Sequence, residues 1–148
     1  MSDLEKDFTI REYRKGDYPA VSALWMATGL SNIARGDSEE IIEETIRIGG
    51  KLLLLEQKST SRIIGTSWLT YDGRRLHMHH FGIDPAFHGR GMAKLLLNHS
   101  LAFVKHKGCQ VKLEVHETNE KAVSLYKKAG FKRLGDYDVY IIRDISTL

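Results

Sequence analysis

Hydrophobic and polar positions alternate along the first third of the chain in a pattern that predicts one strand followed by two helices. Residues 8–13, FTIREY, alternate as a half-buried strand does. The first helix is predicted to begin near Asp17, a candidate N-cap, with Pro19 in its first turn. The second helix follows Ser38 and stops at residues 49–50, a pair of glycines. The helical stripes of these two segments are formed by Val21, Leu24, Trp25, Thr28, Ile41, Ile42, Thr45, Ile46 and Ile48.

Three strands separated by short polar breaks are predicted after the second helix. They are KLLLLEQ at residues 51–57, RIIGTSWLTYDG at residues 62–73 and RRLHMHHFGI at residues 74–83. The break at residues 58–61 and the pair Asp72-Gly73 are typical of hairpin turns. These three strands are therefore expected to be antiparallel neighbours.

The last part of the chain predicts a helix, a strand, a second helix and two closing strands. The helix GMAKLLLNHSLAFVKHKG ends at Gly108, and the strand CQVKLEVH follows it. The next helix occupies residues 119–130, with Asn119 as N-cap and Gly130 as C-cap. Two strands are predicted within residues 131–145. In the longer of these helices the 3.6-residue period runs through Leu95, Leu96, His99, Ala102, Phe103 and His106.

This order of elements, β-α-α-β-β-β-α-β-α-β-β, indicates a mixed α/β fold. The strands before and after the helix of residues 91–108 are expected to run parallel, joined by a right-handed crossover. The first strands are antiparallel, so we expect a mostly antiparallel central sheet with helices on both faces. At 148 residues, the chain is predicted to form a single domain, residues 1–148.

Composition and charge exclude several classes of protein. The apolar fraction of 42% and the charged fraction of 28% are typical of soluble globular proteins, and no apolar run reaches the ~18 residues that a membrane span needs. The acidic start MSDLEKDFTI is unlike a signal peptide, and the lone Cys109 fits a reducing compartment, so we predict a cytoplasmic protein. The net charge of +3, without a dense Lys/Arg block, suits an anionic small molecule at least as well as nucleic acid. We expect neither a membrane nor a nucleic acid as partner.

Two glycines flank a basic residue directly before the leucine-rich helix, in the segment HGRGMA. Gly89, Arg90 and Gly91 precede a helix N-terminus, where unpaired N–H groups and the helix dipole attract phosphate. The P-loop pattern is absent, and Lys94 stands where a dinucleotide fingerprint has its third glycine. This motif alone leaves two interpretations open, an anion-binding loop and a plain flexible turn.

A second motif carries a family resemblance. The segment NEKAVSLYKKAGF, residues 119–131, resembles the N-x-x-A-x-x-x-Y-x-K-x-G-F segment of the GCN5-related N-acetyltransferase (GNAT) superfamily. The phosphate loop of that superfamily is Q/R-x-x-G-x-G/A, and His88-x-x-Gly91-x-Ala93 matches two of its three fixed positions. The resemblance covers about residues 8–143 and implies the GNAT fold, in which the two parallel strands splay apart.

The resemblance implies that acetyl-CoA binds in the splay between these parallel strands. The backbone of Phe81 and Ile83 would then pair with the pantetheine arm, while Arg90 and Lys94 either add positive charge near the phosphates or are plain solvated side chains. The contact made by the His88 side chain, where the family has Arg or Gln, is left open. The N–H groups expected to hold the pyrophosphate belong to Gly89, Arg90, Gly91, Met92, Ala93 and Lys94.

Three residues of the second motif acquire expected roles from the resemblance. Asn119 would cap its helix and touch the cofactor arm, although capping alone also accounts for an asparagine there. Tyr126 matches the family tyrosine that protonates the departing CoA thiolate, and its phenol, with a reference pKa near 10, holds a proton at neutral pH. The alternative is a tyrosine packed on a helix face. Lys128 would approach the ribose phosphate.

A base for the attacking amine is predicted on the strand RLHMHHFGI. His77 and His79 are two residues apart and share one strand face, an arrangement that resembles the paired histidines of arylalkylamine N-acetyltransferases. His77 is our choice of base. Plain strand surface and substrate binding without proton transfer remain alternatives, whereas the absence of nearby Asp, Glu or Cys ligands argues against a metal site.

The resulting prediction is an acetyl-CoA-dependent N-acetyltransferase that acts by direct transfer to a primary amine of a small molecule or of a protein or peptide. A non-catalytic acyl-CoA-binding domain and a tRNA-directed acetylating enzyme are the alternatives. Cys109 is expected in the core, as are Trp25, Trp68 and Tyr71 unless they line an acceptor pocket. Asp37, Glu39 and Glu40 either attract a cationic amine or simply begin a helix. The acceptor, the acyl length and the oligomeric state, a homodimer included, stay open.

Overall fold

The structure, a computed structural model, describes residues 6–31 and 35–148. Residues 1–5 and 32–34, in the acidic N-terminus and the loop SNIARGD, lie outside the described residues. The elements in chain order are β1 (Phe8–Glu12), α1 (Tyr18–Thr28), α2 (Glu39–Arg47), β2 (Lys51–Gln57), β3 (Arg62–Tyr71), β4 (Leu76–Ile83), a 3-10 turn (Pro85–Phe87), α3 (Met92–Lys107), β5 (Val111–Leu113), α4 (Glu120–Lys128) and a final 3-10 turn (Ile145–Thr147). None of the helices in this described part is both long and apolar enough to cross a membrane.

The strands form a single five-stranded sheet in the order β1-β2-β3-β4-β5. The first four are antiparallel neighbours, and β5 pairs with β4 in parallel, from Leu76↔Val111 to Met78↔Leu113. The predicted fold class is thereby confirmed. Because the parallel ladder ends at Met78 while β4 continues to Ile83, the second half of β4 extends beyond its pairing with β5.

Both faces of the sheet are covered, and this explains the four consecutive leucines of β2. Leu52 and Leu54 belong to one apolar cluster with residues of α1 and α2. Leu53 and Leu55 point to the other face, as strand alternation requires, and all four are buried. Helix α3 packs on that second face, where the Ser100 hydroxyl lies 2.7 Å from the Ser67 hydroxyl of β3.

Asp17 is the N-cap residue of α1, as predicted, but its carboxylate binds the Arg11 guanidinium at 2.8 and 2.9 Å and makes no capping hydrogen bond. Two other local predictions about the helices are wrong. The C-cap of α4 is Ala129, and Gly130 follows it with φ +105°. The buried face of helix α3 is rotated from the predicted apolar stripe, and only Leu96 belongs to both. The buried residues are Met92, Leu96, Leu97 and Ser100. Of the predicted stripe, His99, Ala102 and His106 are exposed.

The two closing strands predicted in residues 131–145 are not formed. Residues 131–144 have no regular secondary structure, and Tyr140 is 90% exposed. The aromatic and β-branched composition of this segment favours strands, but a strand is stable only with a neighbour to pair with. The chain divides into two compact units, one ending at Glu114 and one running from Val115 to Leu148, and the single-domain expectation stays a prediction.

Candidate active site

The N-terminus of α3 combines left-handed glycines with unpaired amides. Gly89 and Gly91 both have φ +78°, and Gly91 is the N-cap. The first bond of the helix is donated by the Leu95 N–H to the Gly91 carbonyl at 3.2 Å, so the N–H groups of residues 92–94 lie ahead of the helical ladder. The first turn carries no acidic side chain. This turn therefore presents donors and the positive end of the helix dipole, the arrangement that binds phosphate.

The loop before this helix is held by contacts within the chain. His88, whose side-chain contact the sequence left open, places its Nε2 at 2.8 Å from the Ile83 carbonyl, while its backbone N–H donates to Pro85 at 3.2 Å. The ring nitrogen must donate in this bond because the carbonyl only accepts. The Arg90 guanidinium lies over the Phe87 ring at 5.4 Å. The loop is thus anchored to the end of β4, where Ile83 lies.

The two predicted histidines lie together on the α1/α2 face of the sheet. His77 and His79 stack with ring centroids 3.9 Å apart, and His79 Nε2 is 2.9 Å from the Thr70 hydroxyl. Their cross-strand partners are Thr70 and Trp68, respectively. Burial lowers the pKa of both imidazoles, that of His79 to about 4. Both rings are therefore neutral at pH 7 and able to accept a proton.

A bulge in β4 adds a third histidine to the same face. The register with β3 shifts between Thr66↔Gly82 and Trp68↔His79, which leaves one extra residue on β4. His80 takes up this shift with φ +45°, a conformation in which histidine is more frequent than most residues. The Thr66 hydroxyl donates to the His80 carbonyl at 2.7 Å and accepts from the Trp25 indole at 2.8 Å. His80 therefore joins the face that carries His79 instead of the opposite one.

His80 is paired with Asp37, a partnership that the sequence did not indicate. Its Nε2 lies 2.8 Å from the Asp37 carboxylate, and the two side chains are only 9% and 14% exposed. The ring also contacts Trp25 at 4.4 Å and Trp68 at 5.3 Å between centroids. Asp37 additionally accepts a hydrogen bond from Ser31 at 3.0 Å, so it serves an internal network. A bulge and its distant partner have no local sequence pattern, because the contact joins the loop before α2 to β4.

Replacing Asp37 with alanine is expected to lower the free energy of unfolding by about 1–3 kcal/mol, because the buried Nε2–H of His80 loses its acceptor. Urea unfolding followed by circular dichroism measures this change. Asp138→Ala, which removes an exposed carboxylate, is the control and is expected to change little. Equal stabilities of the two variants would contradict a structural role for the Asp37–His80 pair.

The remaining aromatic and sulfur candidates are mainly structural. Trp25 and Trp68 are 1% and 3% exposed and stack at 5.5 Å, so they belong to the core, as expected. The Trp68 indole donates to the Thr45 hydroxyl at 2.9 Å. Cys109 is half-buried in the turn before β5. In residues 6–31 and 35–148, no three His, Cys, Asp or Glu side chains are grouped so that they could hold a metal ion.

The C-terminal unit contains the three predicted residues of the second motif. Asn119 caps α4, with its side-chain oxygen accepting from the Ala122 N–H at 3.3 Å, as predicted. Tyr126 is 8% exposed and meets Phe131 edge-to-face at 5.6 Å. Burial raises the pKa of the Tyr126 phenol to about 12, so it is protonated at neutral pH. Lys128, in the last turn of α4, is exposed.

Comparison with known proteins agrees with this fold. Residues 17–131 match the sequence model of the Acetyltransferase (GNAT) family. The chain therefore belongs to the GNAT acetyltransferase family, and this membership supports acetyl transfer as its general activity.

Solved structures with the same fold come from several organisms. A GNAT-family acetyltransferase from Streptococcus pneumoniae is 24% identical with a TM-score of 0.70, over 93% of this chain and 99% of that one. One from Staphylococcus aureus is 18% identical with a TM-score of 0.77, over 88% of each chain. One from Elizabethkingia anophelis, with acetyl-CoA bound, is 21% identical with a TM-score of 0.61, over 85% of this chain and 76% of that one. At these identities the likeness is one of fold.

Proposed function

We propose that this chain is an acetyl-CoA-dependent N-acetyltransferase that passes the acetyl group directly to a primary amine of a small molecule, protein or peptide. The observation that carries the proposal is the N-terminus of α3, where left-handed glycines and unpaired amides form an anion-binding turn at the end of β4. Family membership supports acetyl transfer, and the relative from Elizabethkingia anophelis has acetyl-CoA bound. The predicted cytoplasmic location stays a prediction.

The residues of the loop and of β4 fit the CoA moiety in charge and hydrogen bonding. Donors and the helix dipole favour a diphosphate, and Arg90 and Lys94 add two positive charges to a turn without carboxylates. In the proposed binding mode, the backbone of Phe81 and Ile83 pairs with the pantetheine arm. His88 fixes the loop to β4. The donors are the N–H groups of Gly89, Arg90, Gly91, Met92, Ala93 and Lys94.

Acetyl-CoA supplies an activated acetyl thioester, and the chain supplies proton transfer around it. A neutral amine is needed for attack, and an alkyl ammonium has a reference pKa near 10.4, so a base must take its proton. His77 is the proposed base, since His79 is engaged with Thr70 and has its pKa lowered further, to about 4. His79 stacks on His77 and holds its ring in place.

On the leaving-group side, Tyr126 is the proposed acid that protonates the departing thiolate. Burial raises its pKa to about 12, so the phenol carries its proton throughout the neutral range and has it available to donate. Asn119 caps α4 and is proposed to contact the cofactor arm, and Lys128 is proposed to approach the ribose phosphate. These three roles rest on the family resemblance.

Calorimetric titration with coenzyme A tests whether the turn at the N-terminus of α3 binds the cofactor. Gly91→Ala places a Cβ at φ +78° in the anion-binding turn and is expected to weaken CoA binding by at least ~10-fold, because the amides must shift. Gly108→Ala is the matched control. Gly108 ends the same helix with φ +76° and has open space around it, so this variant carries the same backbone strain and should bind CoA normally.

A thiol-release assay over an amine panel tests the reaction itself. Release of CoA thiol that depends on both acetyl-CoA and an amine supports the proposal. Undetectable CoA binding overturns it, and CoA binding without thiol release for any amine indicates an acyl-CoA-binding domain instead.

A further inference from the structure

A cavity of about 240 Å³ opens beside His77, between the β3–β4 turn and the start of β5. Its wall includes Arg74 and Arg75 from the turn, Lys112 from β5 and Tyr71 from β3. All of these residues lie in the compact unit that ends at Glu114. The cavity thus joins a cluster of basic side chains to the proposed base.

The charge of this cavity is positive. Within the described part of the chain, Arg74, Arg75 and Lys112 form no ion pair with a carboxylate. The acidic side chain in the wall, Asp72, accepts the backbone N–H groups of Arg74 and Arg75 at 2.8 and 2.7 Å. These bonds lower the pKa of Asp72 and keep its carboxylate folded into the turn. Three cations and one engaged carboxylate leave the cavity with an excess of positive charge.

The basic side chain of Lys112 and the imidazole of His77 share one face of the sheet. His77 of β4 pairs with Lys112 of β5 in the parallel ladder and with Thr70 of β3 in the antiparallel ladder. Cross-strand partners point to the same face of a sheet. A bound molecule can therefore contact the basic end of the cavity and His77 at once.

We propose that the acceptor is a small primary amine that also carries an anionic group, a carboxylate or a phosphate. Arg74, Arg75 and Lys112 bind the anion, and the amine is thereby directed toward His77. Guanidinium groups suit this role because they bind carboxylate and phosphate through paired hydrogen bonds. The inference rests on the proposed function and adds the class of acceptor to it.

Acceptor pairs that differ in charge test this proposal. Phosphoethanolamine is compared with ethanolamine, and glycine with glycinamide, in the thiol-release assay at saturating acetyl-CoA. We expect kcat/KM to be at least ~10-fold higher for the anionic member of one pair, since only that member can form charge-assisted hydrogen bonds with the basic side chains. The pair with the larger ratio distinguishes phosphate from carboxylate.

Single substitutions test the residues. Arg74→Gln, Arg75→Gln and Lys112→Gln are expected to raise KM for the anionic acceptor about 10-fold while leaving kcat and the KM for acetyl-CoA unchanged. All three side chains are exposed, so the fold should tolerate the changes. Lys15→Gln, which removes one exposed positive charge outside the cavity, is the control and should not change KM.

The outcomes separate this proposal from the one it rests on. Turnover with equal kcat/KM for charged and uncharged acceptors, or a preference for polyamines, overturns the anionic acceptor and leaves the acetyltransferase intact. Turnover only on aminoacyl-tRNA, weakened by the three substitutions, overturns the small acceptor in favour of RNA. CoA binding without thiol release for any acceptor overturns the proposed function and the acceptor class together.

Discussion

Replacement of Tyr126 by phenylalanine is expected to lower kcat by about 100-fold or more, while the affinity for CoA changes less than about twofold. General acid catalysis contributes about 10²–10⁴-fold, and the substitution removes only the phenolic hydroxyl. The side chain is buried, 8% exposed, with a pKa raised to about 12, so in the native protein it carries its proton throughout the neutral range. The ring packing against Phe131 is retained in the variant.

Steady-state kinetics and calorimetry on the same preparations separate catalysis from binding. Tyr140→Phe is the matched control, because it removes a phenolic hydroxyl from an exposed residue of the same unit. This control should retain full kcat. An unchanged kcat in Tyr126→Phe would remove Tyr126 as the acid, and a parallel loss of CoA affinity would assign it to binding.

Much of the N-terminal unit was predictable because its elements are signalled locally. Two strand segments separated by the polar break at residues 58–61 predict a hairpin, and the structure has β2, β3 and β4 as antiparallel neighbours. Ser38 caps α2 through the Ile41 N–H, as its position indicated. Caps and turns are short-range interactions, so a few residues suffice to determine them.

Features that depend on a distant partner were not predictable in the same way. Residues 131–144 have strand-like composition, yet whether they pair is decided by neighbours in space and not by their own sequence. The face that α3 buries is set by the sheet it packs on, where Ser100 meets Ser67. The 3.6-residue period locates a helix but fixes its rotation only loosely when Leu95, Leu96 and Leu97 are all apolar.

The candidate site shows the same division. The glycine turn and the pair His77 and His79 follow from short motifs, whereas regular strand alternation would put His80 on the face opposite His79. The bulge, supported by the Thr66 hydroxyl, breaks that alternation and brings His80 to Asp37, 43 residues away along the chain. Arg74 of the β3–β4 turn and Lys112 of β5 are likewise distant in sequence, yet they line the same cavity.

The second large effect is expected for His77→Gln, which should lower kcat about 100-fold. In this variant kcat should no longer fall as the pH becomes acidic. Burial lowers the pKa of His77 below its usual value of 6.5, so the native base is neutral at pH 7. As pH falls through this lowered pKa, His77 becomes protonated and kcat is lost; above it, kcat is constant until other groups titrate. Glutamine keeps a polar side chain but accepts no proton in this range.

Profiles of kcat against pH between pH 4.5 and 8 distinguish the histidines, because the pKa of His79, near 4, lies below this window. His79→Gln is expected to keep the acidic limb with a smaller loss of kcat, since His79 positions the His77 ring by stacking on it. His99→Gln, on the exposed face of α3, should match the native profile. An acidic limb that survives in His77→Gln would assign the base elsewhere.

The lowered pKa values of the histidines also affect stability, because below pH 6.5 the unfolded chain binds protons more readily than the folded one. The free energy of unfolding should therefore decline on acidification. Thermal melts identify the pH range in which the protein stays folded, and the loss of kcat is interpreted only within that range.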